Sequence, residues 1–261
     1  MTPLDKRVPG RTLAAIIPPP AQPLPVNFWR AVRRQLGPPI RPGPSLPALA
    51  SPGWRRRAGA GGNLVNTLRQ HRSATFWDDM YSAPDIRPAP IPRAEIGQFQ
   101  DRVAASAGPA VIDVGTGLGE WACRMSKLGL TVTGYDYSPV AIESARRLHH
   151  NHGPLTFEVH DFDADAIPRH LQRESVDVVS CRHVLHFLER PRFIADARRW
   201  LHKNGVLHIT TAVAEKMRDG RHVGLREAEV RELARGWREY DRYDVDPHGE
   251  ITAVVLRGPY T

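Results

Sequence analysis

Apolar residues recur at helical spacing along much of the chain, and short apolar runs lie between these stretches. One helical stripe is formed by Trp121, Ala122, Met125 and Leu128, and Gly129 follows it, as glycine often follows a helix. Similar stripes contain Ala141, Ala145 and Leu148; Phe193, Ala197, Trp200 and Leu201, closed by Gly205; and Val230, Leu233, Ala234 and Trp237. Strands that alternate with such helices predict an α/β fold with a parallel sheet and right-handed crossovers.

The two ends of this region follow other patterns. Residues 240–245 and 251–256 flank a turn that contains Pro247 and Gly249, so we expect a terminal β-hairpin. On the other side, residues 76–81 place aromatic side chains on one helical face and acids on another. Prolines between positions 84 and 92 predict a stiff connector, and a further helix is expected before the first strand.

A glycine-spaced turn follows the first predicted strand, residues 111–114. Gly115, Gly117 and Gly119 allow the backbone to approach a ligand where a side chain would collide. The next strand ends in Asp136, and an acid at that place can accept hydrogen bonds from both hydroxyls of a ribose. The pattern predicts a pocket for a nucleoside-containing cofactor at the carboxyl ends of the strands.

This turn suits a dinucleotide poorly. The fingerprint for such cofactors places its third glycine at position 120, where this chain has Glu120. A carboxylate there opposes a pyrophosphate, which needs to rest on the backbone N–H groups of the helix. The sequence therefore disfavours a dehydrogenase.

The string from Asp113 to Gly119 resembles motif I of the class I S-adenosylmethionine-dependent methyltransferases, whose cofactor carries no phosphate. Further similarity, over about residues 108–211, lies in these segments: 136–139, 155–162, 176–187 and 200–207. The resemblance implies a doubly wound, Rossmann-like α/β fold with a seven-stranded, mostly parallel sheet and a C-terminal antiparallel hairpin. The segment from Phe76 to Tyr81 loosely resembles the N-terminal lid of thiopurine- and tellurite-type enzymes; alternatively, it only covers the sheet edge.

By this resemblance, S-adenosylmethionine is the cofactor and particular residues bind it. Asp136 would hold the ribose, Tyr137 would lie against the adenine, and Asp161 would accept from the adenine amino group. The remaining expected cofactor contacts are Asp113, Gly115, Thr116, Gly117, Phe162 and Cys181. A purely structural role is an alternative for Asp161, which could cap the following segment.

The expected reaction is an in-line transfer of the methyl group to an N, O, S or C atom of a small-molecule acceptor. Such a reaction needs alignment and exclusion of water more than a catalytic triad. Where the acceptor must lose a proton, His183 and His186 are the candidate bases, with helix packing as the alternative role for each. Two further functions stay open: an RNA or protein methyltransferase, and a non-catalytic binding protein.

Charge divides the chain. Residues 6–77 contain twelve Lys or Arg and no Asp or Glu, although the whole chain carries a net charge of only +8. We therefore predict a largely disordered Pro/Arg-rich arm at 1–62, a helical lid and connector at 63–107, and the core at 108–261. Within the arm, residues 26–36 have the spacing of a short amphipathic helix. The arm is a solvated tail, a contact for nucleic acid or an anionic membrane, or a targeting leader.

The remaining composition sets softer bounds. The sequence contains no apolar run long enough to span a bilayer, and two cysteines do not indicate a disulfide framework, so the cytoplasm is the expected compartment. His149, His150 and His152 are close in sequence, but no carboxylate or Cys pair accompanies them at a familiar metal-ligand spacing. We therefore expect a hydrated helix end there and no metal.

Overall fold

The computed structural model describes residues 73–104, 108–164, 168, 171–218 and 224–260. The predicted basic arm at 1–62 and the predicted helix at 26–36 lie outside the described residues. The proposed division into arm, lid and core therefore stays a prediction. Within the described part of the chain, no helix combines the length and the apolar character that crossing a membrane requires.

Seven strands form one sheet in the order β3-β2-β1-β4-β5-β7-β6. They are β1 Ala110–Val114, β2 Thr131–Asp136, β3 Leu155–Val159, β4 Val176–Arg182, β5 Leu201–Ala212, β6 Trp237–Asp244 and β7 Ile251–Pro259. Strands β1 to β5 pair in parallel, and β7 pairs antiparallel with both β5 and β6. This sheet confirms the predicted fold class and the terminal hairpin.

Six α-helices surround the sheet in the described part of the chain. They are α1 Ala74–Ser82, α2 Arg93–Phe99, α3 Glu120–Ser126, α4 Pro139–Leu148, α5 Arg190–Trp200 and α6 Glu227–Glu232, and a π-helical turn, Gln100–Ala104, extends α2. The start of α4 shows why the sequence folds there: the Ser138 hydroxyl accepts from the Ala141 N–H, and Pro139 occupies the first helical position.

Both faces of the sheet are buried under helices. One apolar cluster contains Val179 and Trp200, whereas the other contains Val178, Phe99 and Met125. The neighbours Val178 and Val179 point to opposite clusters because side chains alternate across a strand. Burial on both faces explains why the central strands are predominantly apolar in the sequence.

Two predicted helix ends are wrong. The helix with Phe193 and Ala197 ends at Trp200, and Leu201 already begins β5 and pairs with Val176. Residues 202–205 bulge out of that pairing before Val206 joins Val178, so the predicted turn at Gly205 lies inside the strand.

The last predicted helix is also too long. Helix α6 ends at Glu232, and Gly236, with φ of 81°, redirects the backbone so that Trp237 begins β6. Trp237 is buried in the core, and the Arg198 guanidinium lies over its ring. The burial of Trp237 in the core therefore favours the strand over the helix. Helical spacing of apolar residues alone could not predict this.

Candidate functional site

A cavity of about 350 Å³ opens at the carboxyl ends of β1, β2 and β4. Its size is within the range of small-molecule sites, and its place is the usual one in sheets of this kind. The walls combine the glycine turn, the ends of β2 and β4, helix α1 and the connector after α1. Residues that line it include Trp77, Tyr81, Ile86, Arg87, Asp113, Gly115, Thr116, Gly117, Asp136, Tyr137, Asp161, Phe162, Arg182, His183 and Phe187.

The glycine turn needs glycine for two separate reasons. Gly115 and Gly117 have φ values of 67° and 54°, a region that residues with a side chain rarely adopt. A Cβ at Gly115 would lie 2.5 Å from Val184 Cγ2, and one at Gly117 would lie 2.7 Å from the Tyr81 hydroxyl oxygen. The backbone of the turn therefore packs so closely against Val184 and Tyr81 that neither position has room for a side chain.

Asp113 holds this turn from within. Its carboxylate accepts the Thr116 hydroxyl at 2.7 Å, and the side chain is 2% exposed. Burial raises the pKa of Asp113 to about 7, although hydrogen bonds from Thr116 and Ser180 oppose the shift. Since this carboxylate is already engaged with the turn, the structure shows it in an anchoring position.

Asp136 lies at the end of β2, on the wall of the cavity. One carboxylate oxygen accepts the Gly117 N–H at 2.9 Å and the other accepts the Ser138 N–H at 3.0 Å. Burial raises the pKa of Asp136 to about 6, and the backbone N–H groups partly oppose this shift. At neutral pH the group is therefore mostly a charged acceptor inside a desolvated pocket.

Helix α1 covers the cavity with aromatic side chains. Trp77 stacks with Tyr81 at 6.2 Å between ring centroids and meets Phe187 edge-on at 5.2 Å. Asp78 on the same helix accepts the Ser138 hydroxyl at 2.5 Å. Burial, followed by the nearby Asp136, raises the pKa of Tyr81 well above its usual value. The segment predicted as a lid therefore forms a wall of the cavity.

The other predicted cofactor residues have different surroundings. Tyr137 and Phe162 line the cavity, as the prediction requires. Asp161 also lines it, but its carboxylate accepts the N–H groups of Asp163 and Ala164 at 2.9 and 3.2 Å, which is the capping arrangement considered as an alternative. Cys181 is completely buried beside Asp113 and does not line the cavity.

The two candidate bases also differ. His183 lines the cavity and has a φ of 59°, an uncommon value for a residue with a side chain. Burial and the neighbouring Arg182 lower the pKa of His183 well below its usual value, so the ring is neutral at pH 7. His186 is buried, packs against Phe187 and is not among the lining residues. Of the two, only His183 therefore borders the cavity.

Sequence reasoning missed a buried ion pair at the edge of the site. Arg182 on the cavity wall donates two hydrogen bonds to the Glu95 carboxylate, at 2.7 and 3.0 Å, and its guanidinium lies over the Trp121 ring. Glu95 is only 2% exposed. The signal in the sequence was that Glu95 lies on the apolar side of the helix that contains Phe99. Its partner Arg182, however, is 87 positions away in sequence.

Comparisons with known proteins identify the domain around this site. Residues 112–209 match the family model described as a methyltransferase domain. This segment includes the glycine turn, β2 with Asp136, β4 and most of β5. The match thus falls on the elements that build the cavity.

Individual relatives are distant. The chain is 32% identical to the mitochondrial ubiquinone biosynthesis O-methyltransferase of Schizosaccharomyces pombe over 114 residues, which are 43% of this chain and 41% of that protein. It is 24% identical to phosphoethanolamine N-methyltransferase 1 of Caenorhabditis elegans over 162 residues, 58% of this chain and 33% of the relative. The chain therefore spans less than half the length of these two relatives.

Among solved structures, a S-adenosylmethionine-dependent methyltransferase from Aquifex aeolicus has the same fold. Its TM-score is 0.55 at 18% identity, and the alignment covers 71% of this chain and 98% of that one. The similarity extends beyond the segment that the family model matches, so it supports the fold of the whole core.

Proposed function

We propose that the chain, whose residues 112–209 match a methyltransferase domain, is a class I S-adenosylmethionine-dependent methyltransferase that methylates a nitrogen or oxygen atom of a small molecule. The observation that carries this proposal is the position of the Asp136 carboxylate. It is desolvated, held by two backbone N–H groups and placed on the wall of a cavity whose volume, about 350 Å³, is within the range of small-molecule sites.

The residues present fit S-adenosylmethionine. The turn with Gly115 and Gly117 leaves backbone next to the cavity, where a methionine moiety can approach it. Asp136 supplies a charged acceptor for ribose hydroxyls, and the rings of Tyr137 and Phe162 offer apolar walls for a base. The acidic surroundings, including Glu120, are compatible with a cofactor that has a sulfonium and no phosphate.

Within this proposal, the cofactor supplies an activated methyl group, and the protein aligns and shields the reaction. Trp77, Tyr81 and Phe187 exclude water from the cavity. Neutral His183 borders the cavity and serves as the proton acceptor if the attacking atom carries a proton. His186, which does not line the cavity, has no part in this mechanism, and Cys181 contributes to packing behind the wall.

The proposal favours a small acceptor because helix α1 and residues 86–91 already enclose the cavity. By their names, one of the two relatives is an O-methyltransferase of ubiquinone biosynthesis and the other an N-methyltransferase of phosphoethanolamine, which is a small molecule. Contact of the basic arm with nucleic acid and a cytoplasmic location stay predictions. None of the described contacts favours an RNA methyltransferase or a non-catalytic protein.

The test begins with thermal unfolding in the presence of S-adenosylhomocysteine. At 100 times the dissociation constant, a ligand that binds only the native state should raise the melting temperature by about 5–10 °C for a domain of this size. NADH should have no effect. A chain that shows no shift with S-adenosylhomocysteine would contradict the cofactor assignment.

The second step measures transfer of labelled methyl groups to a panel of amines and phenols. His183→Asn, which retains a residue tolerant of positive φ, should lower kcat while the affinity for S-adenosylhomocysteine stays unchanged. His186→Asn is the matched control, because it makes the same substitution at a histidine that does not line the cavity. Cofactor binding without transfer to any member of the panel would instead support the non-catalytic alternative.

A further inference from the structure

Three potential metal ligands meet behind the glycine turn, outside the cavity. Cys123 is on α3, His149 is the C-cap residue after α4, and His152 lies three residues further along. One ligand atom from each residue lies within 4.8 Å of the other two. None of the three residues lines the cavity, so the proposed methyl transfer does not explain this cluster.

The types of ligand favour zinc. A thiolate and two imidazoles are a soft, nitrogen- and sulfur-rich set, whereas Mg²⁺ and Ca²⁺ prefer oxygen ligands. Zinc usually takes four ligands in a tetrahedron, and three protein ligands leave one position for water. Cys123 is buried and forms no disulfide, so its sulfur is available to a metal ion rather than to another cysteine.

We propose that Cys123, His149 and His152 form a zinc site that holds the glycine turn against the end of α4. Ligand atoms around zinc are about 3.5 Å apart, as the usual metal–ligand distances require. The observed separation of at most 4.8 Å therefore needs a closure of about 1 Å. His152 can provide this movement because it is only half-buried and lies in a turn beside Gly153.

His149 connects the cluster to the cofactor cavity. Its Nε2 lies 3.0 Å from the carbonyl oxygen of Leu118, a residue of the cavity wall. When Nε2–H donates to this carbonyl, Nδ1 is unprotonated, which is the form that a metal ion needs. A zinc ion on His149 would therefore stiffen the turn that approaches the cofactor.

The charged groups that face His149 do not prevent this role. Glu120 and Lys127, both from α3 or its end, are the nearby charges, and they have opposite signs. Glu120 also pairs with Arg124 at 3.3 Å. The prediction of no metal considered only the histidines near position 150, because Cys123 joins them through folding and not through a motif spacing.

Cobalt provides the test, since Co²⁺ occupies zinc sites and its bond to a thiolate absorbs in the near ultraviolet. The full chain, stripped with a chelator, should bind one equivalent of Co²⁺ with this absorption, and one equivalent of Zn²⁺ should abolish it. Cys123→Ser should remove the absorption, and His152→Asn should weaken the binding at least 10-fold. His150→Asn is the matched control, because His150 is exposed and contacts the Arg147 carbonyl instead.

A second measurement guards against misfolding of the variants. Zinc at 100 times its dissociation constant should raise the melting temperature of the native chain by about 5–10 °C, and this shift should vanish in Cys123→Ser. The variant's own cooperative unfolding transition shows that it is folded. Absence of the cobalt–thiolate absorption in the native chain, or equal losses in His150→Asn and His152→Asn, would overturn the proposal. Methyl transfer enters neither measurement.

Discussion

Replacement of Asp136 by Asn should separate cofactor binding from folding. Asn keeps the shape of the side chain and one oxygen, but it removes the negative charge. The carboxylate accepts the N–H groups of Gly117 and Ser138, so one of these two groups loses its acceptor in the variant. A buried hydrogen-bonding group left without a partner costs about 1–3 kcal/mol.

The negative charge of Asp136, in contrast to its hydrogen bonds, destabilises the folded state. The pKa of Asp136 is raised from 3.8 to about 6 in the folded state, so the unfolded chain releases this proton first as the pH rises. The free energy of unfolding therefore falls between about pH 4 and pH 7, by about 3 kcal/mol for a shift of this size. Asn removes this loss, so at pH 8 the ligand-free variant should be as stable as the native chain or up to about 2 kcal/mol more stable.

Ligand binding should respond differently. Loss of a charge-assisted hydrogen bond to the ribose should weaken the binding of S-adenosylhomocysteine by about 10- to 100-fold. Urea unfolding at pH 5 and pH 8, with and without S-adenosylhomocysteine, measures both effects, and Asp79→Asn on the exposed face of α1 is the control. If S-adenosylhomocysteine raised the free energy of unfolding of the Asp136→Asn variant as much as that of the native chain, the role of Asp136 in cofactor binding would be refuted. Equal destabilisation at both pH values would refute the pKa argument.

Two further substitutions test the walls of the site. Glu95→Gln should lower the free energy of unfolding by about 3–5 kcal/mol, measured in urea, because the largely buried Arg182 guanidinium loses its counter-charge. Glu143→Gln, in an exposed ion pair, should have little effect. Gly117→Ala and Gly129→Ala both force a side chain into positive φ and should each cost about 1–2 kcal/mol. Only Gly117→Ala should also reduce the thermal shift with S-adenosylhomocysteine, because its methyl group meets the Tyr81 hydroxyl.

The sequence predicted the sheet well because each central strand is buried on both faces. Short, predominantly apolar segments such as residues 176–181, in which only Asp177 and Ser180 are polar, favour an internal parallel strand. Helix ends were predicted less well, because Leu201 and Trp237 have apolar side chains that fit the end of a helical stripe and also the core of the sheet. The choice between the two depends on pairing with Val176 and Pro259, which are distant in sequence.

The site divides in the same way. Gly117 and Asp136 were predictable since a glycine turn and a strand-end acid keep a fixed relation within one βαβ unit. The positions of Cys181 and His186 were not predictable, because a residue at a strand end, or in the turn just after it, can face either the cavity or the packing behind it. Glu95 was missed because its partner comes from another layer of the fold.

Ser138 connects helix α1, which covers the cavity, to the Asp136 carboxylate on the cavity wall. Its N–H donates to Asp136, and its hydroxyl donates to Asp78 on α1 while accepting from the Ala141 N–H. The charge of Asp78 also contributes to the raised pKa of Asp136. A ligand that donates hydrogen bonds to Asp136 stabilises the charged form of this carboxylate and so lowers its pKa, in opposition to the effect of Asp78. Helix α1 and the ligand therefore both act on the Asp136 carboxylate, so packing of α1 over the cavity and binding of the cofactor should be energetically linked.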